Sequence, residues 1–381
     1  MGRIMPKRNT PTSVALERGR GKRRLIYRQV ADRLLKDIGD GRLKPGEMLP
    51  SMDDLARQFD INKATVRQAI AELTAAGCVY SIPAKGTFVS ETQPARGGAS
   101  RPLAIGWVIS VSDEGNTGRY HTEIMDAVCT ALRKIRGHLL MMSTNGLSSA
   151  SFCREIGEAR LDGVILIGAY RHDMIRRLAG SELPMVLIDD ACRGARIDSI
   201  LVDNRGGGYL AAQHLIGLGH RKLALVTGPA ELQITRDRLE GALDALKDAG
   251  LDPASAHIIP SDFSPRGGYL AFQEIAAMKP TPTGVFFFND EMASGAIQAL
   301  YENTALKVPE DFSFVGFDDI SWASLTHPRL TTIRVEKELM GQQAVERLLK
   351  RIKDPNHIPT TTVIPTQLVT RNSTAPIHTK R

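Results

Sequence analysis

Runs of apolar residues recur along most of the chain, separated by stretches in which apolar residues return every three or four positions. Continuous runs bounded by polar residues predict buried strands, and the amphipathic stretches between them predict helices. The predicted strands are Leu103–Ile109, His138–Met142, Gly163–Ile167, Met185–Ile188, Lys222–Val226, Gly284–Phe288 and Ser313–Phe317, and the predicted helices are Glu123–Arg136, Gly208–Leu218, Arg238–Ala249 and Glu291–Tyr301. This alternation is typical of parallel sheets covered on both faces.

The alternating region spans residues 102 to 372, which is too long for one small sheet. We therefore predict two lobes with a cleft between them. In open α/β sheets, ligands bind beyond the carboxyl ends of the strands. The cleft is consequently the predicted place for a ligand.

A shorter and different pattern covers residues 25–90. On a helical wheel that begins at Lys63, four apolar residues share one side and the polar residues Arg67 and Gln68 face away. Asn62 precedes this helix as an N-cap, and Ser51 caps a shorter helix before it. Two short helices joined by a tight turn form the helix-turn-helix pattern, whose second helix enters the major groove of DNA. The apolar side consists of Val66, Ala69, Ile70 and Leu73.

Two short β patterns follow in C-V-Y-S-I-P-A-K-G-T-F-V, with a turn at 83–86. A hairpin beside a recognition helix is a wing, and Lys85 at its tip is placed for a phosphate or for the minor groove. The residues alone leave a second interpretation open, in which 25–90 is a helical packing domain with a solvated charged face.

The same residues resemble the GntR-type winged helix, through G-D-G-R-L-K-P-G-E-M-L-P-S, L-A-R-Q-F-D-I-N-K-A-T-V-R-Q-A-I-A-E-L and K-G-T-F-V. The resemblance implies a small α+β winged helix-turn-helix domain that contacts operator DNA. Two departures from the family pattern are Asp53, where Arg is common, and Ala84, where Gly is common. From the resemblance and from hydrogen-bonding chemistry, the predicted DNA-contacting residues are Lys63, Ala64, Thr65, Arg67, Gln68, Lys85 and Gly86, with Ala84 beside them in the wing.

The charge of the chain is unevenly distributed. The 381 residues carry a net charge of +7, and eight basic side chains against Glu17 place all of it in residues 1–24. Such a basic tail is predicted to be disordered, and either contacts nucleic acid or is merely solvated. Residues 91–101 are rich in Pro, Gly and polar residues and are predicted to form a linker, and residues 373–381 to form a C-terminal tail.

Several functional classes find no support in the sequence. The chain has no apolar run long enough to cross a membrane and no export signal, so we predict a cytoplasmic location without membrane partners. Four scattered cysteines are predicted to be buried thiols, and the nine histidines show no metal-ligand spacing. Gly206 to Ala211 fit G-x-G-x-x-A, but the following strand ends in Thr227-Gly228-Pro229 instead of an acidic residue, so we interpret the glycines as a helix entry. No enzyme activity, cofactor or metal is predicted.

The large region resembles the effector domain of LacI-type repressors, an α/β two-lobed, periplasmic-binding-protein-like domain with two Rossmann-like lobes. The segments that show this resemblance include V-D-N-R-G-G-G-Y-L-A-A-Q-H-L-I-G-L-G-H-R-K-L-A-L-V-T-G-P, F-F-F-N-D-E-M-A-S-G-A-I-Q-A-L and V-P-E-D-F-S-F-V-G-F-D-D-I. The resemblance implies three crossovers between the lobes, homodimerisation and a small molecule in the cleft. The ligand-binding residues it implies are Tyr120, His121, Asp189, Arg238, Phe263, Asn289 and Asp318. Asp290 is interpreted as structural.

Together, the two resemblances imply a chimera similar to arabinose-type repressors, in which a GntR-type domain and a LacI-type domain are joined. We predict a dimeric transcriptional repressor that binds double-stranded operator DNA. A sugar-like effector controls the affinity of this protein for the operator. The alternative is a sugar-binding transport or sensor subunit without DNA binding. The sequence does not decide among sugars, sugar phosphates and nucleobases.

Overall fold

The computed structural model describes residues 26–75, 77–82, 85–90, 102–109, 118–143, 147–168, 172–181 and 183–377. The chain divides into two compact units, Met1–Pro102 and Leu103–Arg381. The predicted basic tail at 1–24 and the predicted linker at 91–101 lie outside the described residues.

The first unit is a helix-turn-helix followed by a hairpin. Its elements are α1 (Ile26–Gly39), α2 (Met52–Phe59), α3 (Lys63–Ala75), β1 (Val79–Ile82) and β2 (Gly86–Val89). The two strands pair antiparallel. The apolar sides of the three helices and of the hairpin meet in one core that includes Leu34, Leu55, Val66 and Leu73. The winged helix-turn-helix prediction is confirmed.

The second unit alternates strands and helices over its whole length. In chain order the elements are β3 (Ala104–Ile109), α4 (Arg119–Arg133), β4 (His138–Ser143), α5 (Ser149–Glu158), β5 (Gly163–Ile167), α6 (His172–Ala179), β6 (Met185–Ile188), β7 (Asp198–Val202), α7 (Asn204–Gly217), β8 (Leu223–Val226), α8 (Gln233–Asp248), β9 (His257–Ile259), α9 (Pro265–Ala277), β10 (Gly284–Phe287), α10 (Asp290–Asn303), β11 (Ser313–Asp318), β12 (Thr331–Arg334), α11 (Lys337–Lys353), β13 (Thr361–Ile364) and β14 (Gln367–Val369).

The strands form two six-stranded sheets, one in each lobe. The first lobe has the order β13-β7-β6-β5-β3-β4 and the second has the order β14-β12-β11-β10-β8-β9. All pairs are parallel except β12 with β14. The chain crosses between the lobes three times, after β7, after β12 and after β13, because α11 and β13 return to the first lobe. The predicted two-lobed α/β domain is confirmed.

Close packing of α7 against α8 explains the glycine-rich stretch 206–208. Helix α7 is capped by Asp203, whose side chain accepts a hydrogen bond from the backbone N–H of Gly206. A Cβ on Gly208 would overlap the backbone of Arg238, and a Cβ on Gly241 would overlap the carbonyl oxygen of Arg205. Gly206 and Gly208 lie near the start of α7, as their interpretation as a helix entry requires. Gly208 and Gly241 also lie where α7 contacts α8.

The predicted C-terminal tail at 373–381 is wrong for its first residues. Ser373 is fully buried, and its hydroxyl accepts from the backbone N–H of Thr331 and donates to Phe314 O. The backbone N–H of Ile377 donates to Leu218 O. Residues 373–377 therefore pack on the second lobe, and residues 378–381 lie outside the described part.

The cysteine prediction needs a similar correction. Cys192 is buried, whereas Cys78, Cys129 and Cys153 are only half-buried. No disulfide joins the four. The pKa of each thiol is raised, mainly because burial disfavours the thiolate. All four thiols are therefore weaker acids than a free cysteine, and fewer of them are present as the reactive thiolate.

Candidate functional site

Tyr120 and Asp189 form the centre of the site in the first lobe. Tyr120 lies in the first turn of α4, and Asp189 follows β6 with a left-handed backbone, φ 63°. The hydroxyl of Tyr120 donates a hydrogen bond to Asp189 Oδ1 at 3.1 Å. Burial raises the pKa of Asp189 to about 6. The strand end and the helix start thus bring together two side chains that are far apart in the sequence.

Arg238 and Asp318 face them from the second lobe. Arg238, on α8, is buried, and its Nε donates to Asn204 Oδ1 at 2.9 Å. Its Nη1 donates to Phe288 O, and its Nη2 lies 3.4 Å from Asp318 Oδ1. The guanidinium stacks 3.6 Å above the ring centroid of Phe317. Arg238 is therefore held rigidly by groups of its own lobe.

Electrostatic interactions connect these residues across the cleft. Burial raises the pKa of Asp318 to about 7, and the negative charge of Asp189 contributes to the rise while Arg238 and Lys337 oppose it. The positive charge of Arg238 lowers the pKa of Asp189 in turn. The pKa of Tyr120 is raised well above its usual value by burial and by both carboxylates. Residues from the two lobes therefore face one another across a cleft, as the sequence predicts.

Phe263 and Asn289 lie together in the second lobe. Phe263 has a left-handed backbone, φ 67°, and its ring covers Gly228 so closely that a Cβ there would overlap it. Asn289 caps α10 by accepting from the backbone N–H of Met292, and its Nδ2 donates to Phe263 O at 2.9 Å. The amide of Asn289 thus holds Phe263 in place, and its predicted contact with a ligand stays a prediction.

His121 contributes a neutral ring. Its edge contacts the ring of Tyr120, with centroids 5.5 Å apart, and burial lowers its pKa to about 4. Its Nδ1 is buried and has no hydrogen-bond partner among the described residues. A buried polar atom without a partner is costly, so such an atom marks a place where a ligand or water binds.

Two groups in the second lobe share this property but were missed by sequence reasoning. The hydroxyls of Thr235 and Ser261 are buried and also have no hydrogen-bond partner in the described part of the chain. Thr235 lies on α8 three residues before Arg238, so both side chains lie on the same side of the helix. Nothing in the sequence distinguishes this threonine from one that bonds to its own helix. Asp290 is bonded to Thr332 and to the backbone N–H of Ile320, as its predicted structural role requires.

Direct contacts join the two lobes beside the site. Glu291 Oε1, at the start of α10, accepts from the backbone N–H of Arg119 at 2.8 Å. Glu123 Oε1, on α4, accepts from the backbone N–H of Ser321 at 2.7 Å. Lys337, at the second crossover, lies 3.4 Å from Glu123 Oε2. The described conformation is therefore a closed one.

Most of the predicted DNA-contacting residues are exposed on the first unit. Lys63, Ala64, Arg67 and Gln68 on α3 are exposed, and so are Lys85 and Gly86 in the wing, whereas Ala84 lies outside the described residues. Thr65 differs, because it is half-buried and its hydroxyl donates to Asn62 Oδ1 at 2.8 Å. Its backbone N–H donates to the same oxygen, so Thr65 completes the helix cap. Its predicted contact with DNA stays a prediction.

Asp53, one of the two departures from the family pattern, pairs with the recognition helix. Its Oδ1 lies 2.5 Å from Lys63 Nζ, and both side chains are exposed. The first basic residue of α3 therefore carries a partner of opposite charge.

The described part of the chain contains no group of three or more His, Cys, Asp or Glu side chains placed to hold a metal ion. None of the helices described is long and apolar enough to cross a bilayer.

Comparisons with known proteins match both units. Residues 26–89 match the family of bacterial regulatory proteins of the gntR type, and residues 212–374 match the periplasmic binding protein-like domain. The chain is 30% identical over 278 residues to the HTH-type transcriptional repressor PurR of Vibrio vulnificus, covering 72% of this chain and 82% of that protein. It is 35% identical over 223 residues to the PurR repressor of Photobacterium profundum, covering 58% of this chain and 66% of that protein.

A solved structure has the same two-lobed architecture. A LacI family transcriptional regulator from Enterococcus faecium, crystallised with bound ribose, superposes with a TM-score of 0.66 at 29% identity. The match covers 72% of this chain and 100% of that one.

Proposed function

Because the chain belongs to the LacI and PurR family of transcriptional repressors and begins with a GntR-type DNA-binding domain, we propose that it is a repressor whose operator affinity is set by a small molecule bound in the cleft. It acts as a homodimer on two half-sites, and the exposed residues of α3 and the wing contact the DNA. It has no catalytic role.

The observation that carries the proposal is the meeting of Tyr120 and Asp189 from one lobe with Arg238 and Asp318 from the other. These side chains form a polar, nearly closed cluster with aromatic rings beside it, which suits a small polar ligand. Because the ligand would touch both lobes, it has different contacts in the open and the closed cleft. A ligand that prefers one of two states shifts the population toward that state.

The domain organisation belongs to the same proposal. Residues 25–90 form the DNA-binding domain, residues 91–101 a linker and residues 102–377 the effector and dimerisation domain. Coupling between the domains runs through the geometry of the dimer, since a change in the cleft alters the spacing between two winged helices. A sugar-like effector is favoured because a related LacI family regulator is described with bound ribose.

A binding experiment with and without effector tests the proposal. Duplexes that bind the full chain are first selected from a random pool, and candidate effectors are found by the rise in melting temperature that a ligand of the folded state causes. Fluorescence anisotropy then measures operator affinity at fixed salt. We expect the effector to change operator affinity at least about tenfold, about 1.4 kcal/mol of coupling free energy. A chain that binds the effector but shows no sequence preference for DNA would instead be a transport or sensor subunit.

A further inference from the structure

The charged groups of the cleft already have partners within the protein. Arg238 donates to Asn204, to Phe288 O and toward Asp318, and its face is covered by Phe317. Lys337, the second cation near Asp318, is buried, and its Nζ donates to Asp318 O at 2.5 Å and to Asp319 O at 2.8 Å. Both cations are therefore already paired with acceptors of the protein, unlike the free fork of donors that best binds a phosphate or carboxylate.

Acidic groups outnumber these two cations around the same cluster. Asp189 and Asp318 lie within it, and Glu123 and Glu291 hold the lobes together at its side. The negative charge of Glu291 is close enough to Asp318 to raise the pKa of Asp318. An anionic ligand would therefore enter a region of like charge and lose its hydration without gaining a paired cation.

The groups without partners are neutral. His121 Nδ1 in the first lobe and Thr235 Oγ1 in the second are buried and make no hydrogen bond. A neutral imidazole and a hydroxyl can each donate or accept, and both pair well with the hydroxyl groups of a ligand. A bound hydroxyl-bearing molecule would remove the cost of leaving them unpaired.

Building on the proposed function, we propose that the effector is an uncharged, hydroxyl-rich molecule that hydrogen-bonds to His121 and Thr235, and that the cleft excludes its phosphorylated and carboxylated analogues. Asp189 and Asp318 accept from the remaining hydroxyls of this molecule. Phe263 provides an apolar surface beside it.

Matched pairs of ligands test the charge selection by titration calorimetry on the full chain. The pairs are ribose with ribose 5-phosphate, glucose with glucose 6-phosphate, and glucose with glucuronate. For one pair at least, the uncharged member should bind about 100-fold tighter or more than its charged analogue, a difference of about 2.7 kcal/mol. Equal or tighter binding of the charged member would overturn the proposal, and so would a panel in which no uncharged member binds at concentrations up to about 10 mM.

The substitution Thr235→Val tests the role of the hydroxyl. It should weaken the best uncharged ligand about threefold to tenfold, the usual effect of one lost neutral hydrogen bond. The melting temperature of the ligand-free chain should stay the same or rise, since the hydroxyl has no protein partner to lose. The control Thr304→Val removes a hydroxyl that donates to Leu300 O at the far end of α10, and it should leave ligand affinity unchanged. Equal ligand affinities of Thr235→Val and the wild type would exclude Thr235 from the site.

The failure of this inference is distinguishable from failure of the proposed function. Tight binding of a phosphorylated ligand that still alters operator affinity would refute the charge selection alone. An uncharged ligand that binds in the calorimeter but leaves operator affinity unchanged would refute the regulatory function alone.

A second inference concerns the DNA-contacting surface and rests on the pair formed by Asp53 and Lys63. The two side chains are 59% and 62% exposed, and exposed ion pairs contribute little to folding stability. The neighbouring acid Asp54 is occupied differently, since it accepts from Ser51 and from Arg57. Asp53 is therefore the acid that neutralises the first basic residue of the recognition helix.

Nonspecific DNA affinity comes mainly from cations that displace counterions from phosphates. A lysine paired with a carboxylate brings no net charge to the DNA and must break its pair before it can contact a phosphate. We infer that Asp53 restrains Lys63 and so lowers affinity for nonspecific DNA more than affinity for the operator, where Arg67 and Gln68 contact base edges. Asp53 is thus a specificity-determining residue, although it need not contact a base itself.

A double-mutant cycle with Asp53→Asn and Lys63→Met tests this pair. In the wild-type background, Asp53→Asn should tighten binding to scrambled DNA and steepen log affinity against log salt by about 0.9 per protomer. The ratio of operator to scrambled affinity should fall. In the Lys63→Met background the same substitution should have no such effect. Asp40→Asn is the matched control, since Asp40 is an exposed acid that pairs with Arg42 at 2.5 Å in the same unit.

Two outcomes would contradict the inference. If Asp53→Asn raised the affinity for scrambled DNA equally in the wild-type and Lys63→Met backgrounds, the carboxylate would repel DNA by its own charge and not through Lys63. A selective loss of operator affinity would mean that Asp53 itself reads a base, as a carboxylate can by accepting from a cytosine amino group.

Discussion

The carboxylate of Glu291 accepts a hydrogen bond from the backbone N–H of Arg119 at 2.8 Å, and this bond joins the second lobe to the first. Arg119 is the first residue of α4, so the negative charge lies at a helix N-terminus, where backbone N–H groups are unsatisfied and the helix dipole is favourable. Gly118 permits the approach, since a Cβ there would stand 3.0 Å from Glu291 Oε1. We expect an opening of the cleft to break this contact.

Glu291→Ala should therefore shift the cleft toward its open form. The loss of one hydrogen bond to a charged acceptor corresponds to about 1.5–3 kcal/mol, so effector affinity should fall roughly tenfold to a hundredfold. Calorimetry measures the affinity, and small-angle scattering of the effector domain measures the closure. Glu338→Ala is the control, because Glu338 is an exposed acid on α11 that bonds to Gln342. Unchanged affinity and scattering in Glu291→Ala would show that this contact does not stabilise closure.

Arg67→Ala should abolish most operator specificity while leaving the fold intact. Arg67 is exposed on α3, next to the buried Val66, so its removal opens no cavity. The loss of one base-reading contact costs about 1–3 kcal/mol per half-site. Anisotropy with operator and scrambled duplexes measures the loss, and Arg57→Ala on α2, whose side chain pairs with Asp54, serves as control. If operator affinity is unaltered at physiological salt, Arg67 does not read bases.

Stability should depend on pH through Asp318. Its pKa is raised to about 7, so the folded chain keeps a proton that the unfolded chain has lost, and this stabilisation is lost as the pH rises through 7. Asp189, with a pKa of about 6, acts in the same direction at lower pH, whereas His121, lowered to about 4, acts in the opposite direction below 6.5. Because burial also raises the pKa of Asp290 and lowers the pKa values of His214 and His220, the contribution of Asp318 is the difference between the wild type and Asp318→Asn.

Between the usual carboxyl pKa of 3.8 and about pH 7, the contribution of Asp318 to the free energy of unfolding should fall by up to about 1.4 kcal/mol per pH unit, and the curve of Asp318→Asn should be flatter there. Urea unfolding at several pH values measures both curves. Parallel curves would mean that Asp318 titrates at an ordinary pKa. Asp318→Asn should also lower the affinity for the effector without affecting operator binding.

Gly241→Ala should destabilise the effector domain. A Cβ at Gly241 would overlap the carbonyl oxygen of Arg205 on the neighbouring helix, and a backbone atom cannot move aside cheaply. Such overpacking costs about 1–3 kcal/mol. Gly157→Ala on α5 is the matched control, since nothing lies within 4 Å of its Cβ position, and it should stabilise by about 0.4–1 kcal/mol. Thermal unfolding distinguishes the two, and equal melting temperatures would contradict the close packing of α7 and α8.

The sequence predicts the continuous apolar strands well and the strands with polar residues poorly, for a physical reason. Gly163–Ile167 and Met185–Ile188 have the bounds predicted for them, because strands buried on both faces are continuous apolar runs. In contrast, β12, β13 and β14 consist of T-T-I-R, T-T-V-I and Q-L-V, short segments with polar residues that give no distinct signal. They were missed, although two of the three crossovers follow them.

The candidate site shows the same limit. Asp189 and Asp318 could be proposed from their positions after apolar strands, which places them at the cleft edge of a parallel sheet. Their left-handed backbones and raised pKa values depend on the facing lobe, which no local pattern encodes. Thr235 could not be identified either, since its missing hydrogen bond is a property of the folded packing.

The coupling between the cleft and the DNA is tested most directly by measuring effector affinity twice, on the free chain and on the chain saturated with selected operator. Thermodynamic linkage requires that operator change effector affinity by the same factor by which effector changes operator affinity, about tenfold or more here. We predict that calorimetry gives that equal factor, and that scrambled DNA leaves effector affinity unchanged. The same effector affinity with and without operator would contradict the account.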